Sequence, residues 1–590
     1  MLLTNYNALF GSFLAIAYLL PLDVQAGRVA LSFQATVNNK PLILDSIRYK
    51  NQVGQPYSIS RLSLFLSEFC FHHSDGSLFH CEDSVGWFDS GKQNNNLILK
   101  NIPEGNYSKF SFNVGLKPKW NRADPWAFGA QHPLNPNVSS LYWDWKGGYI
   151  FAAIEGLYRR KNQKEYLGFS YHFANEQNLT PISISCEIPV YEQTGITIDL
   201  AIDKLFHAEG SIDFVNTGSS SHSKQQDIVA EILKNNFRNA FSIHAEKEPV
   251  VQKTNHLLKK PLYLPDIFEP FDFRMSKRFP VPNLPADNPL IRSRVELGKK
   301  LFNDKNLSAD NTISCSSCHK RKSAFSDNAR FSMGVNHRVG NRQSMPLFNL
   351  AWKKRFFWDG RASSLRKQVL EPIQNHREMD MDLGKLINRL RSNHLITAQF
   401  FESFGSNEIT EEKISLALES FLLSITSYNS KFDQFLSGKA ILTPDEQRGF
   451  ELFFTENEPR NGQFGADCFH CHGGPLFTDH AFHNNGLESK INDVGLAGTT
   501  GFPSDRGKFA TPSLRNVALT APYMHDGRFE TLDSVIDHYS FGVQRSATLD
   551  PNLAKHPNGG IALSARDRSD LVAFLKTLTD PLFVDSEENN

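Results

Sequence analysis

The chain has 590 residues, enough for about two to four domains. Its 63 basic and 63 acidic side chains cancel, so composition gives no reason to expect a nucleic-acid partner. Beyond the first 26 residues no stretch is apolar enough to span a bilayer.

Residues 1–26 read as a cleavable export signal. An apolar run over 8–20, too short for a comfortable membrane span, precedes Val24-Gln25-Ala26, a small-residue cleavage pattern. A basic n-region is missing, since Arg28 is the first cation. The expected destination is the periplasm.

From residue 28 to about 205 the pattern has period two. Leu62-Ser63-Leu64-Phe65-Leu66, Phe110-Ser111-Phe112-Asn113-Val114, Tyr149-Ile150-Phe151, Phe169-Ser170-Tyr171-His172-Phe173 and Ile196-Thr197-Ile198 read as strands of a β-sandwich. Asp75-Gly76 sits at the centre of a hairpin that brings Cys70 opposite Cys81, a pairing that suits an exported protein. Cys186 is then left over. His72, His73 and His80 flank the same hairpin and form a metal candidate. An aromatic-rich segment runs from Trp120-Asn121-Arg122 through His132 to Trp143-Asp144-Trp145. Trp143 and Trp145 alternate into a strand, so at least one of them belongs to the core.

Residues 246–279 read as a linker. Helical periodicity dominates afterwards, at 289–302, 365–371, 381–391, 410–427 and 565–578. Thr443-Pro444-Asp445-Glu446 is a capping box ahead of 447–454.

Within the helical half, Cys315-Ser316-Ser317-Cys318-His319 recurs as Cys468-Phe469-His470-Cys471-His472. Two thiols at this spacing add across the vinyl groups of one haem, and the adjacent histidine becomes its iron ligand. A zinc site or redox dithiol is disfavoured. Both copies carry the histidine directly after the second Cys, and no further Cys pair completes a tetrahedral set. Two haem c groups are therefore expected, on His319 and His472. Each has its own helical lobe, 280–438 and 439–582.

The motif order over 28–245, from Trp120 through Trp143-Asp144-Trp145-Lys146-Gly147-Gly148-Tyr149 to Glu155-Gly156 and the tail 235–241, resembles the MbnP family of periplasmic copper-binding proteins. That resemblance implies a tryptophan oxidised to kynurenine, which joins two histidines on copper. Trp120 falls in the tryptophan's place and Arg122 in that of the neighbouring histidine. His172 matches the second ligand, and His132 is the candidate to replace the first.

Over 280–582 the motif order resembles the di-haem cytochrome c peroxidase superfamily and, within it, the MauG and MbnH branch. The matching stretches include Phe325-Ser326-Asp327, Phe357-Trp358-Asp359-Gly360-Arg361, Glu371-Pro372-Ile373-Gln374-Asn375, Thr511-Pro512-Ser513-Leu514-Arg515-Asn516 and Ala521-Pro522-Tyr523-Met524-His525-Asp526-Gly527. The resemblance implies that Trp358 lies between the haems, with Gln368, Pro372 and Glu378 in the distal pocket of the first. It puts Tyr539 where ordinary peroxidases of the superfamily have a methionine ligand, with His538 as competitor. It also implies a calcium ion held by Gln343, Thr520 and Pro522. His337 lies in the loop where ordinary peroxidases carry a distal histidine, in a different local register.

The expected fold is therefore multidomain, an N-terminal all-β sandwich followed by a mainly α di-haem domain with two cytochrome c-type lobes. The expected function is hydrogen-peroxide-driven oxidation of a tryptophan in the chain's own MbnP-like domain or that of a second chain, with Trp143 and Trp145 in reserve behind Trp120. The alternatives are a peroxidase fed by a small periplasmic electron carrier, and a module whose main task is copper binding.

Overall fold

The computed structural model describes residues 26–246, 263–459 and 462–584, less 76–77, 92–93, 144–147, 161–162, 164 and 224–225. The export signal up to residue 25, Gly76 of the expected turn, Trp145 and residues 247–262 of the expected linker lie outside the described residues, as does the side chain of His80.

The N-terminal half is a two-sheet β-sandwich. In one sheet the order is Phe241–Glu246, Gln193–Ala201, Ala26–Val37 and Lys40–Pro41, with Asn96–Pro103 also pairing the Ala26–Val37 strand. Ala26–Val37 runs parallel to Gln193–Ala201, with Leu31 beside Ile196. The larger sheet runs Thr180–Val190, Gly105–Val114, Arg61–His72, Gly148–Arg159, Tyr166–Ala174 and Ser220–Ser221. Inward side chains meet across the two sheets. Phe33 lies 5.0 Å from Phe88, and Phe112 lies 5.2 Å edge-on from Phe241. The hairpin of Arg61–His72 with Leu78–Asp89 pairs Cys70 with Cys81, which are disulfide-bonded. Cys186 is half-buried.

The inner strands of the larger sheet are buried on both faces. Gly148–Arg159 has only its two end residues partly exposed. Its outer face and that of Tyr166–Ala174 are covered by the helical half. Gly168 approaches so closely that a Cβ there would lie 1.8 Å from the Pro551 carbonyl oxygen.

Each helical lobe is built on a pair of crossing helices. In the first, Arg292–Asn303 crosses Glu411–Ser424 at Gly298, where a Cβ would meet the Ala417 carbonyl oxygen at 2.0 Å. In the second, Pro444–Phe453 crosses Ala565–Lys576 at Gly449, where a Cβ would lie 1.9 Å from the Asp570 carbonyl oxygen. Both helices of the second pair begin with a reciprocal capping box, Thr443 with Glu446 and Ser564 with Asp567. The helix expected at 365–371 is two short ones, Leu365–Gln368 and Glu371–Gln374, the second with proline in its first turn. The chain then returns to the first lobe, where Phe583 packs edge-on against Phe325 and Phe348. The second lobe shares one continuous buried core with the sandwich, whereas the first lobe has its own.

Candidate active site

The first motif forms a single helical turn, Cys315–Cys318, opened by Ser314 in a capping box with Ser317. His319 leaves the turn and its Nδ1 donates to the Phe325 carbonyl at 2.8 Å, so Nε2 is the nitrogen left for iron. Burial lowers the His319 pKa and keeps the ring neutral, the form a ligand needs. Both thiols and His319 open onto a cavity of about 430 Å³, into which Trp358, Gln368, Pro372 and Glu378 also project. A cavity with this donor set on its wall fits a covalently attached haem. The structure thus brings together every residue expected in the first pocket. Burial raises the pKa of Glu378, and the Asn375 amide holds its Oε1 at 2.7 Å. Asn375 was quoted in the motif without a role; its spacing of three residues from Glu378 was the available signal. His337 is exposed, against the Met333 sulfur.

Trp358 is buried where the two lobes meet. Its indole N–H donates to the Gln343 carbonyl at 2.9 Å, and its own carbonyl accepts from the Ala510 N–H of the second lobe at 2.9 Å. Arg342 reinforces the junction by binding Asp359 on one side and Asp493 on the other. Gln343 also takes its backbone N–H to the His525 carbonyl at 2.8 Å, three residues beyond the cis Ala521–Pro522 bond. The segments carrying the expected calcium ligands Gln343, Thr520 and Pro522 are therefore hydrogen-bonded neighbours.

In the second motif, His472 Nδ1 donates to the Phe477 carbonyl at 3.1 Å, again leaving Nε2 for iron. Tyr539 and His538 lie in a π-helical turn, His538–Gly542, a distortion that redirects side chains. His538 is buried and donates from Nε2 to the Asn485 carbonyl at 2.9 Å. The Tyr539 hydroxyl receives the Asn485 side-chain amide at 3.2 Å, and burial pushes its pKa up to about 12.

The seam between sandwich and second lobe holds a group that sequence reading did not assemble. His172 pairs beside Ala153 in the sheet, and its Nε2 contacts Glu155 at 2.9 Å; Arg61 binds the same carboxylate at 3.0 Å. Burial lowers the His172 pKa to about 3. The His222 ring lies 4.9 Å from that of His172, and the His470 ring 5.3 Å from it. Trp143, 5% exposed, packs against both His172 and His222, with ring centroids 6.1 and 6.0 Å away. His222 and His470 went unnoticed because one is an isolated residue and the other fills a spacer position of the haem motif. A histidine in that spacer was the signal.

Trp120 and His132 form a different cluster. Trp120 packs on Phe128 at 6.3 Å and Phe128 stacks on His132 at 4.4 Å, while His132 Nδ1 accepts the Leu134 N–H. Arg122 pairs with Glu176. The ring neighbours of His172 are therefore His222 and His470, and His132 stacks elsewhere. At the hairpin, His72 bonds Ser111 and His73 stacks on Tyr107, so these two serve separate contacts.

Fold and site together define a c-type di-haem redox enzyme joined to a β-sandwich. A family model described as di-haem cytochrome c peroxidase matches residues 292–441, and one described as MbnP matches residues 26–225. The methylamine utilization protein MauG of Methylophilus methylotrophus is 32% identical over 295 residues, covering 50% of this chain and 84% of that protein. MauG of Methylorubrum extorquens is 36% identical over 299 residues, covering 50% and 80%. The crystal structure of a MauG-like protein associated with microbial copper homeostasis shares 34% identity, covering 53% of this chain and 97% of that one, with a TM-score of 0.49. The chain belongs to the MauG and di-haem cytochrome c peroxidase family, with an MbnP-like domain fused in front. It is a di-haem peroxidase or oxidase, and its family implies two haem c groups.

Proposed function

We propose that this chain is a periplasmic oxidase that uses hydrogen peroxide to convert a tryptophan of its own N-terminal domain to kynurenine, preparing that domain to bind copper. The observation that carries the reading is the seam. Trp143 is in ring contact with His172 and His222, and both meet His470, which sits inside the second haem-attachment motif. We therefore assign Trp143 as the oxidised residue in preference to Trp120, whose ring packs on Phe128 within its own loop segment.

Bound haem supplies the chemistry that cleaves peroxide and holds its oxidising equivalents. Glu378, whose pKa burial raises and whose carboxylate Asn375 aims, moves a proton between the peroxide oxygens. Gln368 and Pro372 line the pocket beside Glu378 and would leave room there for peroxide. Trp358, hydrogen-bonded to both lobes, relays oxidising equivalents toward the second haem. Tyr539 and His472 would hold the second haem's iron, the phenolate being an anionic donor that suits oxidised iron. Gln343, Thr520 and Pro522 hold calcium at the junction. For the substrate, two molecules of peroxide take up the four electrons and four protons drawn from the indole and leave as four waters, while two waters supply the oxygen atoms that open the ring. Hydrolysis then releases the formyl carbon as formate, giving kynurenine. Its aromatic amine becomes a copper donor beside His172.

The test is peptide mass spectrometry after peroxide treatment of the haem-loaded protein. Kynurenine is expected at Trp143, and Glu378→Gln is expected to slow its formation by about 10²–10⁴-fold, the usual contribution of a general acid–base. If every tryptophan stays intact through several turnovers, the chain is a peroxidase with an attached binding domain, supplied by an electron carrier.

A further inference from the structure

Three imidazoles from the two halves of the molecule converge at the seam. One nitrogen from each of His172, His222 and His470 lies within 4.8 Å of the others. His172 and His222 come from the sandwich, and His470 from the second haem motif. The rings are steeply inclined, 88° between His172 and His222 and 53° between His222 and His470, as separate ligands to one ion require.

The polar inventory around them is incomplete. His172 and His222 are each 2% exposed, and Nδ1 of both is buried with no hydrogen-bond partner. His222 Nε2 lies 3.0 Å from Glu456. Buried imidazole nitrogens are normally satisfied, so these point to a missing partner. The carboxylates are already arranged as supports, with Glu155 against His172 and Glu456 against both His222 and His470. That is the carboxylate–histidine arrangement which orients metal ligands. Glu155 pairs with Arg61, Glu456 with Lys555, and Asp467 with both Lys555 and His556. Trp143 covers the group on one side, and the adjoining cavity is only about 80 Å³.

We propose that His172, His222 and His470 form a metal site bridging the sandwich and the haem domain, for a late first-row ion that favours imidazole donors, copper(I) or zinc(II). Three imidazole donors in a buried pocket suit either ion. Because one ligand lies between Cys468 and Cys471, the bound ion reports directly on the haem-attachment segment. Two of the three ligands are outside the copper set considered above, and the site needs no kynurenine.

The experiment uses haem-loaded full-length protein never exposed to peroxide, with Trp143 shown intact by peptide mapping. Copper(I) and zinc(II) are titrated separately under anaerobic conditions, and bound metal is measured beside haem content. One equivalent of either metal is expected, with X-ray absorption giving three imidazole scatterers. His222→Ala and His470→Gln, each retaining both haems, should bind at least ten-fold more weakly. Wild-type protein that binds neither metal, or absorption spectra with fewer than three imidazoles, would overturn the proposal, as would unchanged affinity in both variants. Because Trp143 is unmodified throughout, failure here leaves the oxidase reading untouched, and failure of that reading leaves the metal site untouched.

Discussion

Asn485 distinguishes two adjacent side chains by offering each a different group. Its carbonyl occupies His538 Nε2, and its amide approaches the Tyr539 hydroxyl. That bond occupies the outer ring nitrogen of His538. A phenol held by one weak donor is available to a metal. In the ferric protein, Tyr539→Phe should therefore convert the low-spin magnetic resonance signal to high-spin, while His538→Gln should preserve it. Persistence of the low-spin signal in Tyr539→Phe would transfer the ligand role to another residue. The tyrosine was legible from its distance along the chain, but its hydrogen bond was not.

Strand Tyr166–Ala174 and helix Pro551–Ala554 meet at Gly168 with no room for a side chain. The atom opposing a new Cβ is backbone, so it cannot rotate aside. Gly168→Ala should destabilise the seam by about 1–3 kcal/mol, the usual cost of overpacking. It should slow kynurenine formation at Trp143 more than the reaction of the haems with peroxide. Rapid-mixing spectroscopy and peptide mapping on the same samples separate the two. Equal slowing of both would mean that the seam plays no part in delivery. Period-two alternation ordinarily goes with one packed and one wet face. For Gly148–Arg159 both faces are packed, because the haem domain stands in for solvent.

Sandwich and second haem lobe share one buried core, and several ion pairs cross between them, including Lys508 with Asp45 and Arg545 with Glu165. On the proposed function, enzyme and substrate on one chain would meet without diffusion, at a fixed high effective concentration. The rate of Trp143 oxidation per molecule should therefore be unchanged when the protein is diluted, as measured by timed quenching and mass spectrometry. A rate that falls in proportion to protein concentration would show that one chain modifies another.

The sequence by itself determined what is local or repeated. Covalent chemistry at fixed spacing marks both haem motifs, period-two and helical patterns separate the two halves, and the Thr443 capping box starts one of the second lobe's helices. The ordered motifs also announced Trp358, Gln368, Pro372 and Glu378, which share one pocket. Only the tertiary structure decided the seam. Trp143 was read as a reserve because burial suggested protection, yet its burial is against the lobe that would oxidise it. His222 and His470 are 248 positions apart in numbering (470 less 222) and share no pattern. Their meeting depends on how two folded surfaces close over Gly168, a property of shape that no local periodicity encodes.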